Sequence, residues 1–127
     1  MSSGSSKRLA LLAVYGTLKR NCANHDRLLE CGCQYQRDCL IPGRLYDVGA
    51  YPGLKLPESS DKEGNGVHGE LYQCPVDAFP ALDTFEGATG DQPLFERTQI
   101  SLIEPKQEAW VYEYAREVSD SAQIEQW

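Results

Sequence analysis

Residues 14–20 read Val-Tyr-Gly-Thr-Leu-Lys-Arg (VYGTLKR), and they close an uninterrupted apolar run over 9–15. A run of that length and continuity suits a central strand covered on both faces. Its abrupt end in Gly16-Thr17 predicts a turn that exposes backbone N–H groups and small hydroxyls at a strand end. Such a turn can hold an anionic or carboxylate-bearing ligand. Lys19, Arg20, Asn24 and His25 follow directly behind it. Strand–glycine–polar turns are common, so the segment speaks to the fold before it speaks to function. A second landmark lies far downstream, Leu82-Asp83-Thr84-Phe85-Glu86-Gly87.

Between and beyond these landmarks the chain alternates strand patterns with short helical ones. Asn24 can cap a short helix over 25–31, with Asp26 in its first turn and Gly32 after its end. Residues 34–41 suit a strand, Pro42-Gly43 a break, 44–48 a further strand and Tyr51-Pro52-Gly53 a turn. Residues 57–65 form a charged, Ser/Gly-rich surface loop pattern. Over 67–73, strand geometry puts His68, Glu70 and Tyr72 on one face and Val67, Gly69 and Leu71 on the other. Asp77 is placed to cap a helix over 78–86 that gathers Phe79, Leu82 and Phe85 on one face. Pro80 falls in its first turn and Gly87 ends it. After a loop over 88–93, residues 95–103 and 108–114 read as strands joined by a turn at 104–107. Many strands with two short helices and no internal repeat predict an α+β fold: a closed or nearly closed mixed sheet with helices packed outside. The expected organisation is a flexible leader over 1–8, one domain over 9–116 and a polar C-terminal tail over 117–127, ending in a docked or exposed Trp127.

Composition narrows the function classes. A chain of 127 residues is one domain by length and can bury a core without staples. Its net charge of −7, with no basic stripe, argues against nucleic acid as the main partner. No stretch is long enough to span a membrane as a helix, and the short apolar run after Lys7-Arg8 lacks a small-residue cleavage site. The five cysteines, Cys22, Cys31, Cys33, Cys39 and Cys74, are odd in number and lack zinc-type pairing. Reduced thiols in a cytoplasmic protein are the expectation.

Glu86 is the leading chemical candidate. At a helix C-terminus the carbonyl partial charges disfavour a carboxylate, and burial beside Phe85 acts in the same direction. A carboxyl group so raised can take and return a proton near neutral pH. The alternative is a solvated glutamate beside a helix-stopping glycine. Gly16 permits close backbone approach. Lys19 and Arg20 either attract a carboxylate or are surface charges, while Asn24 and His25 brace the turn. Asp83 orders its loop. Arg97 either pairs with a carboxylate near the site or sits on a strand face. Tyr112 and Tyr114 either line a cavity or belong to the core.

Taken in order, Tyr15-Gly16-Thr17-Leu18-Lys19, Asn24-His25, Tyr51-Pro52-Gly53, Gly69-Glu70-Leu71-Tyr72, Leu82-Asp83 with Phe85-Glu86-Gly87, Phe95-Glu96-Arg97 and Trp110-Val111-Tyr112 resemble the γ-glutamylcyclotransferase-like family, which includes γ-glutamylamine cyclotransferases and AIG2-like small proteins. The resemblance runs over 9–116. It implies a small mixed β-barrel with short flanking helices and a ligand cavity at one end. It also implies a cyclotransferase that cleaves a γ-glutamyl amide by attack of the α-amine, releasing 5-oxoproline and an amine. Glu86 would be the catalytic acid and base, and Tyr15, Gly16, Thr17, Leu18, Tyr51, Arg97 and Tyr112 would bind the small-molecule γ-glutamyl substrate. No metal or organic cofactor is implied, and the expected state is a monomer or weak homodimer. Phe95 stands where many relatives carry Tyr, which bears on substrate range. Two other readings compete: a non-catalytic small-molecule-binding module on the same fold, and a cysteine-based redox or metal protein.

Overall fold

The chain is seen in a computed structural model that describes residues 8–16, 18–20, 25–48, 52–56, 66–116 and 122–124. In chain order the elements are β1 (Leu9–Val14), α1 (His25–Glu30), β2 (Gln34–Pro42), β3 (Arg44–Asp47), β4 (Pro52–Lys55), β5 (Gly66–Pro75), α2 (Phe79–Glu86), β6 (Phe95–Ser101), β7 (Glu108–Tyr114) and β8 (Ala122–Ile124). A single turn of 3₁₀ helix, Val76–Ala78, leads into α2. The apolar run becomes the middle strand of a five-stranded sheet ordered β2-β5-β1-β7-β6. β1 runs antiparallel to β5 from Leu9↔Pro75 to Val14↔Glu70, and parallel to β7 at Leu12↔Trp110.

Period-two alternation splits the apolar residues of this sheet between two cores. Leu12 and Val14 of β1 join Tyr72 and Cys74 of β5 and Tyr112 of β7 on one face. There they meet Leu28 of α1 and Phe79 and Leu82 of α2. Ala13 of β1, Val67 and Leu71 of β5 and Val111 of β7 point the other way. That face packs on Leu45 and Leu54 of a second sheet, ordered β4-β3-β8. Helices thus cover one face and a small sheet the other, so β1 is buried on both sides at its C-terminal half.

The expected barrel does not close. The outer strands β2 and β6 are separate edges of the five-stranded sheet. The sheet curls until β2 reaches the chain just past β6, where an isolated bridge joins Leu40 to Glu104. Other differences are local. Pro52-Gly53, expected with Tyr51 as a turn, instead starts β4: Pro52 opens the strand and pairs with Asp47. β4 is the edge of its sheet, and the first residue of an edge strand tolerates a proline. Asp77 does not cap α2. It lies within the 3₁₀ turn, and the cap position is Ala78, with no side-chain cap bond. Part of the stretch read as a polar tail is structural, since Ala122–Ile124 pairs with β3. Residues 57–65, expected as a loop, and Trp127 lie outside the described residues, as does Cys22. Cys33 and Cys74 are buried on the helix-covered face, and Cys39 is buried on the other.

Candidate functional site

A cavity of about 340 Å³ opens where β1 runs out into its glycine turn. Ala13, Val14, Tyr15, Gly16 and Leu18 form one part of its wall, and Pro52 adjoins them. Thr84, Phe85, Glu86 and Gly87 from the end of α2, Leu94 and Phe95 at the start of β6, and Tyr112 of β7 complete it. The two landmarks of the sequence therefore meet across one space.

Glu86 is held there by the way α2 stops. Gly87 takes the left-handed conformation at φ +73°, and its N–H reaches back to the carbonyl oxygens of Asp83 and Thr84. Ala88 N–H bonds Asp83 O at 2.8 Å, and Leu94 N–H bonds Gly87 O at 2.8 Å. This capped last turn fixes Glu86 in the cavity wall. Burial raises its carboxyl from 4.5 to about 7. Its charge in turn acts on the phenols of Tyr15 and Tyr112, both of which burial already pushes upward.

Tyr15 shows its residue to the cavity but engages its hydroxyl elsewhere. The hydroxyl donates to Tyr112 O at 2.5 Å and accepts from Leu54 N–H at 3.2 Å, tying β1 to β7 and β4. Gly16 is required by the fold itself. A Cβ there would lie 2.7 Å from Pro52 Cγ, so close approach to Pro52 excludes a side chain. Lys19 N–H closes the turn on Gly16 O at 3.0 Å. Nδ1 of His25 lies 2.9 Å from Leu18 O, which braces the turn as expected. Arg20 is taken up by Glu70: its backbone N–H bonds Oε1 at 2.8 Å and its Nε bonds Oε2 at 3.2 Å. The buried Tyr72 also donates to Glu70 Oε1, at 2.9 Å.

Arg97 is not in the cavity wall. Its guanidinium forks onto Asp83, with Nε to Oδ1 at 2.8 Å and Nη2 to Oδ2 at 3.1 Å. It also stacks over Phe79 and Trp110, at 4.3 and 4.7 Å from the ring centroids. The Tyr112 hydroxyl donates to the same Asp83 Oδ1 at 2.7 Å. Of the residues expected to bind substrate, Tyr15, Gly16, Leu18 and Tyr112 share the cavity with Glu86. Arg97 lies outside the cavity wall, and Thr17 and Tyr51 lie outside the described residues, as does Asn24, which was expected to brace the turn. Sequence reasoning assigned neither Glu70 to Arg20 nor Asp83 to Tyr112, because the first depends on where the chain after β1 lies against β5 and the second on where α2 docks on β7. Pro52 was read only as part of a turn. Among the described residues, no group of three or more His, Cys, Asp or Glu is placed to hold a metal ion.

Comparison with known proteins places the chain in a family. The family model described as "Gamma-glutamyl cyclotransferase, AIG2-like" matches residues 12–127. The chain belongs to that family. It is 35% identical over 104 residues to a Vibrio cholerae protein named "Putative gamma-glutamylcyclotransferase", covering 82% of this chain and 81% of that one. It is 32% identical over 112 residues to the Gamma-L-glutamyl-butirosin B gamma-glutamyl cyclotransferase of Niallia circulans, covering 84% of this chain and 67% of that enzyme. The crystal structure of an AIG2-like protein from Mus musculus superposes with a TM-score of 0.76 at 24% identity, covering 94% of this chain and 88% of the other. The family shares this fold, and the cavity residues, from Ala13 to Tyr112, lie within the matched span.

Proposed function

We propose that this chain is a γ-glutamyl cyclotransferase that acts on a γ-glutamyl amine, with Glu86 as its general acid and base. The single observation that carries the reading is Glu86 itself: a carboxyl group poised at about 7 by burial, in a cavity shared with the Tyr15-Gly16 turn. Membership of the family and the activity for which the Niallia circulans relative is named support it.

The chemistry asks little beyond positioning. Ionised Glu86 takes a proton from the substrate's α-ammonium. The freed amine attacks the γ-carbonyl carbon, a new C–N bond closes the lactam, and the bond to the leaving nitrogen breaks. The two protons lost from the α-nitrogen end on the leaving amine, one of them returned by Glu86, so the amine departs as an ammonium and 5-oxoproline remains. Nucleophile and electrophile belong to one molecule, so the protein's task is to hold a folded conformer. A group whose pKa matches the working pH serves both proton transfers. Tyr15, Gly16 and Leu18, beside the end of β1, offer backbone groups to the glutamyl head, and a cavity of about 340 Å³ suits a small molecule.

The test is release of 5-oxoproline from a panel of γ-glutamyl amines, γ-glutamyl dipeptides and glutathione. Product from at least one amine supports the reading and identifies the leaving group. A folded protein that releases none, yet is thermally stabilised by these compounds, supports a ligand-binding module instead.

A further inference from the structure

Three of the cysteines converge where α1 ends against β5. Cys31 and Cys33 flank Gly32 just past α1, and Cys74 is the last residue but one of β5. In the β2–β5 ladder Gln34 faces Gln73, so the next step of the register sets Cys33 opposite Cys74. Both side chains enter the helix-covered core, where Cys33 is 3% exposed and Cys74 0%, and the half-buried Cys31 packs against the same cluster. The two buried thiols share a hydrogen bond. Cys74 donates and Cys33 accepts, which holds Cys33 below the ordinary thiol range and Cys74 above it. Directly opposite strand residues keep their Cβ atoms about 4.5–5.5 Å apart, and a disulfide needs about 3.5–4.5 Å. Cys33 is placed to close that difference: its N–H bonds Leu28 O at 3.0 Å rather than a strand partner, and Gly32 before it turns at φ +82°. Cys39 is buried in the core on the other face of the sheet, and that burial pushes its thiol up to about 12. None of these four cysteines lines the cavity.

We propose that Cys33 and Cys74 are a thiol-modification site that closes reversibly to a cross-strand disulfide by exchange with a low-molecular-weight disulfide, and that Cys31 is the thiol through which the exchange enters. The buried pair is out of reach of a reagent in solution, whereas Cys31 is partly exposed beside it. Burial, with the charges of Cys33 and Glu30, pushes the Cys31 thiol upward, so entry is the slow step. The Cys31 thiolate attacks one sulfur of the reagent and expels its first thiolate, leaving a mixed disulfide. The Cys33 thiolate attacks Cys31 Sγ and expels the second. Cys74 then attacks Cys33 Sγ, and Cys31 leaves as a thiolate and takes up a proton. In sum the Cys33 and Cys74 thiols lose two hydrogens and two electrons, and one reagent disulfide becomes two thiols. The thiolate is the attacking form throughout, which is why the lowered Cys33 sits in the middle of the relay.

The probe is bis(2-hydroxyethyl) disulfide, which carries no γ-glutamyl group and so leaves the cyclotransferase reading untouched. The folded, reduced protein is exposed to it, remaining thiols are blocked with N-ethylmaleimide at low pH, and tryptic peptides are weighed without reduction. Cleavage at Arg27, Arg37, Arg44, Lys62 and Arg97 puts Cys31 and Cys33 on 28–37, Cys39 on 38–44 and Cys74 on 63–97. The expected product joins 28–37 to 63–97, with fragment ions between positions 31 and 33 assigning the bridge to Cys33, and dithiothreitol reverses it. Cys31→Ser is expected to form the same bridge about tenfold more slowly. Recovery of Cys33 and Cys74 as blocked thiols overturns the proposal, as does a bridge that takes Cys22, Cys31 or Cys39 in place of either. A Cys31→Ser protein that closes the bridge as fast as wild type overturns the entry role.

Discussion

Glu86 carries a consequence for stability that is independent of catalysis. Its carboxyl is raised from 4.5 to about 7 by burial. Between those values the folded chain keeps a proton that the unfolded chain has lost. This group therefore favours folding most below its unfolded pKa, and stability falls as pH rises through the folded one. At 1.36 kcal/mol for each pKa unit, the full cost above pH 7 is on the order of 3 kcal/mol. Glu86→Gln removes the charge and keeps the shape. It is expected to be more stable than wild type by about 1–3 kcal/mol near pH 8, with the difference vanishing near pH 4. Urea unfolding at the two pH values checks this, and a variant less stable at the higher pH contradicts it. The same group dictates the pH profile of activity. Only ionised Glu86 accepts the ammonium proton, so kcat/KM should climb through about pH 7 and then level. A profile flat across that range would mean that another group is the base.

At the scale of elements, Gly16 and Pro52 show how a turn and a strand share one contact. A Cβ at Gly16 falls 2.7 Å from Pro52 Cγ and 3.0 Å from its Cδ. Gly16→Ala must displace the start of β4 and is expected to cost about 1–3 kcal/mol. Pro52→Ala removes both clashing atoms, so the double variant should recover part of that loss. A double-mutant cycle by urea unfolding measures the coupling, and additive losses would show that the two do not touch. These elements also show what was legible beforehand. The apolar run over 9–15, the alternation over 67–73 and the Phe79, Leu82, Gly87 pattern are local signals, and each became the expected element. β4 was hidden because proline usually ends a strand, and only its place at a sheet edge makes Pro52 acceptable. β8 is three residues long, too short for any period to show, and it exists because β3 offers an edge. The helix end at Glu86-Gly87 was legible from the glycine, while the choice of Glu86 as the chemical candidate rested on the family resemblance. The clamp of Asp83, Arg97 and Tyr112 was not legible, because it rests on the register of β6 against β7 and on where α2 docks.

At the scale of the molecule, the cavity exists because one sheet has a core on each face. Helices pack on one side and the three-stranded sheet on the other. Tyr15 crosses between these layers. Its hydroxyl donates to Tyr112 O of the larger sheet and accepts from Leu54 N–H of the smaller one. Tyr15→Phe removes the acceptor of Leu54 N–H and a donor to Tyr112 O in the interior and is expected to cost about 2 kcal/mol. Loss of that clamp should also loosen the cavity wall, which hydrogen exchange at Leu54 would reveal as faster opening; unchanged exchange and stability would contradict the role.

The central claim is that Glu86 performs the proton transfers of a γ-glutamyl cyclisation. The most direct test compares wild type with Glu86→Gln on whichever γ-glutamyl amide is turned over, at saturating concentration, following 5-oxoproline and the released amine together. The account predicts equal yields of both products from wild type, and a variant that is folded, binds the amide and releases neither. A Glu86→Gln protein that still forms 5-oxoproline at an undiminished rate would contradict it.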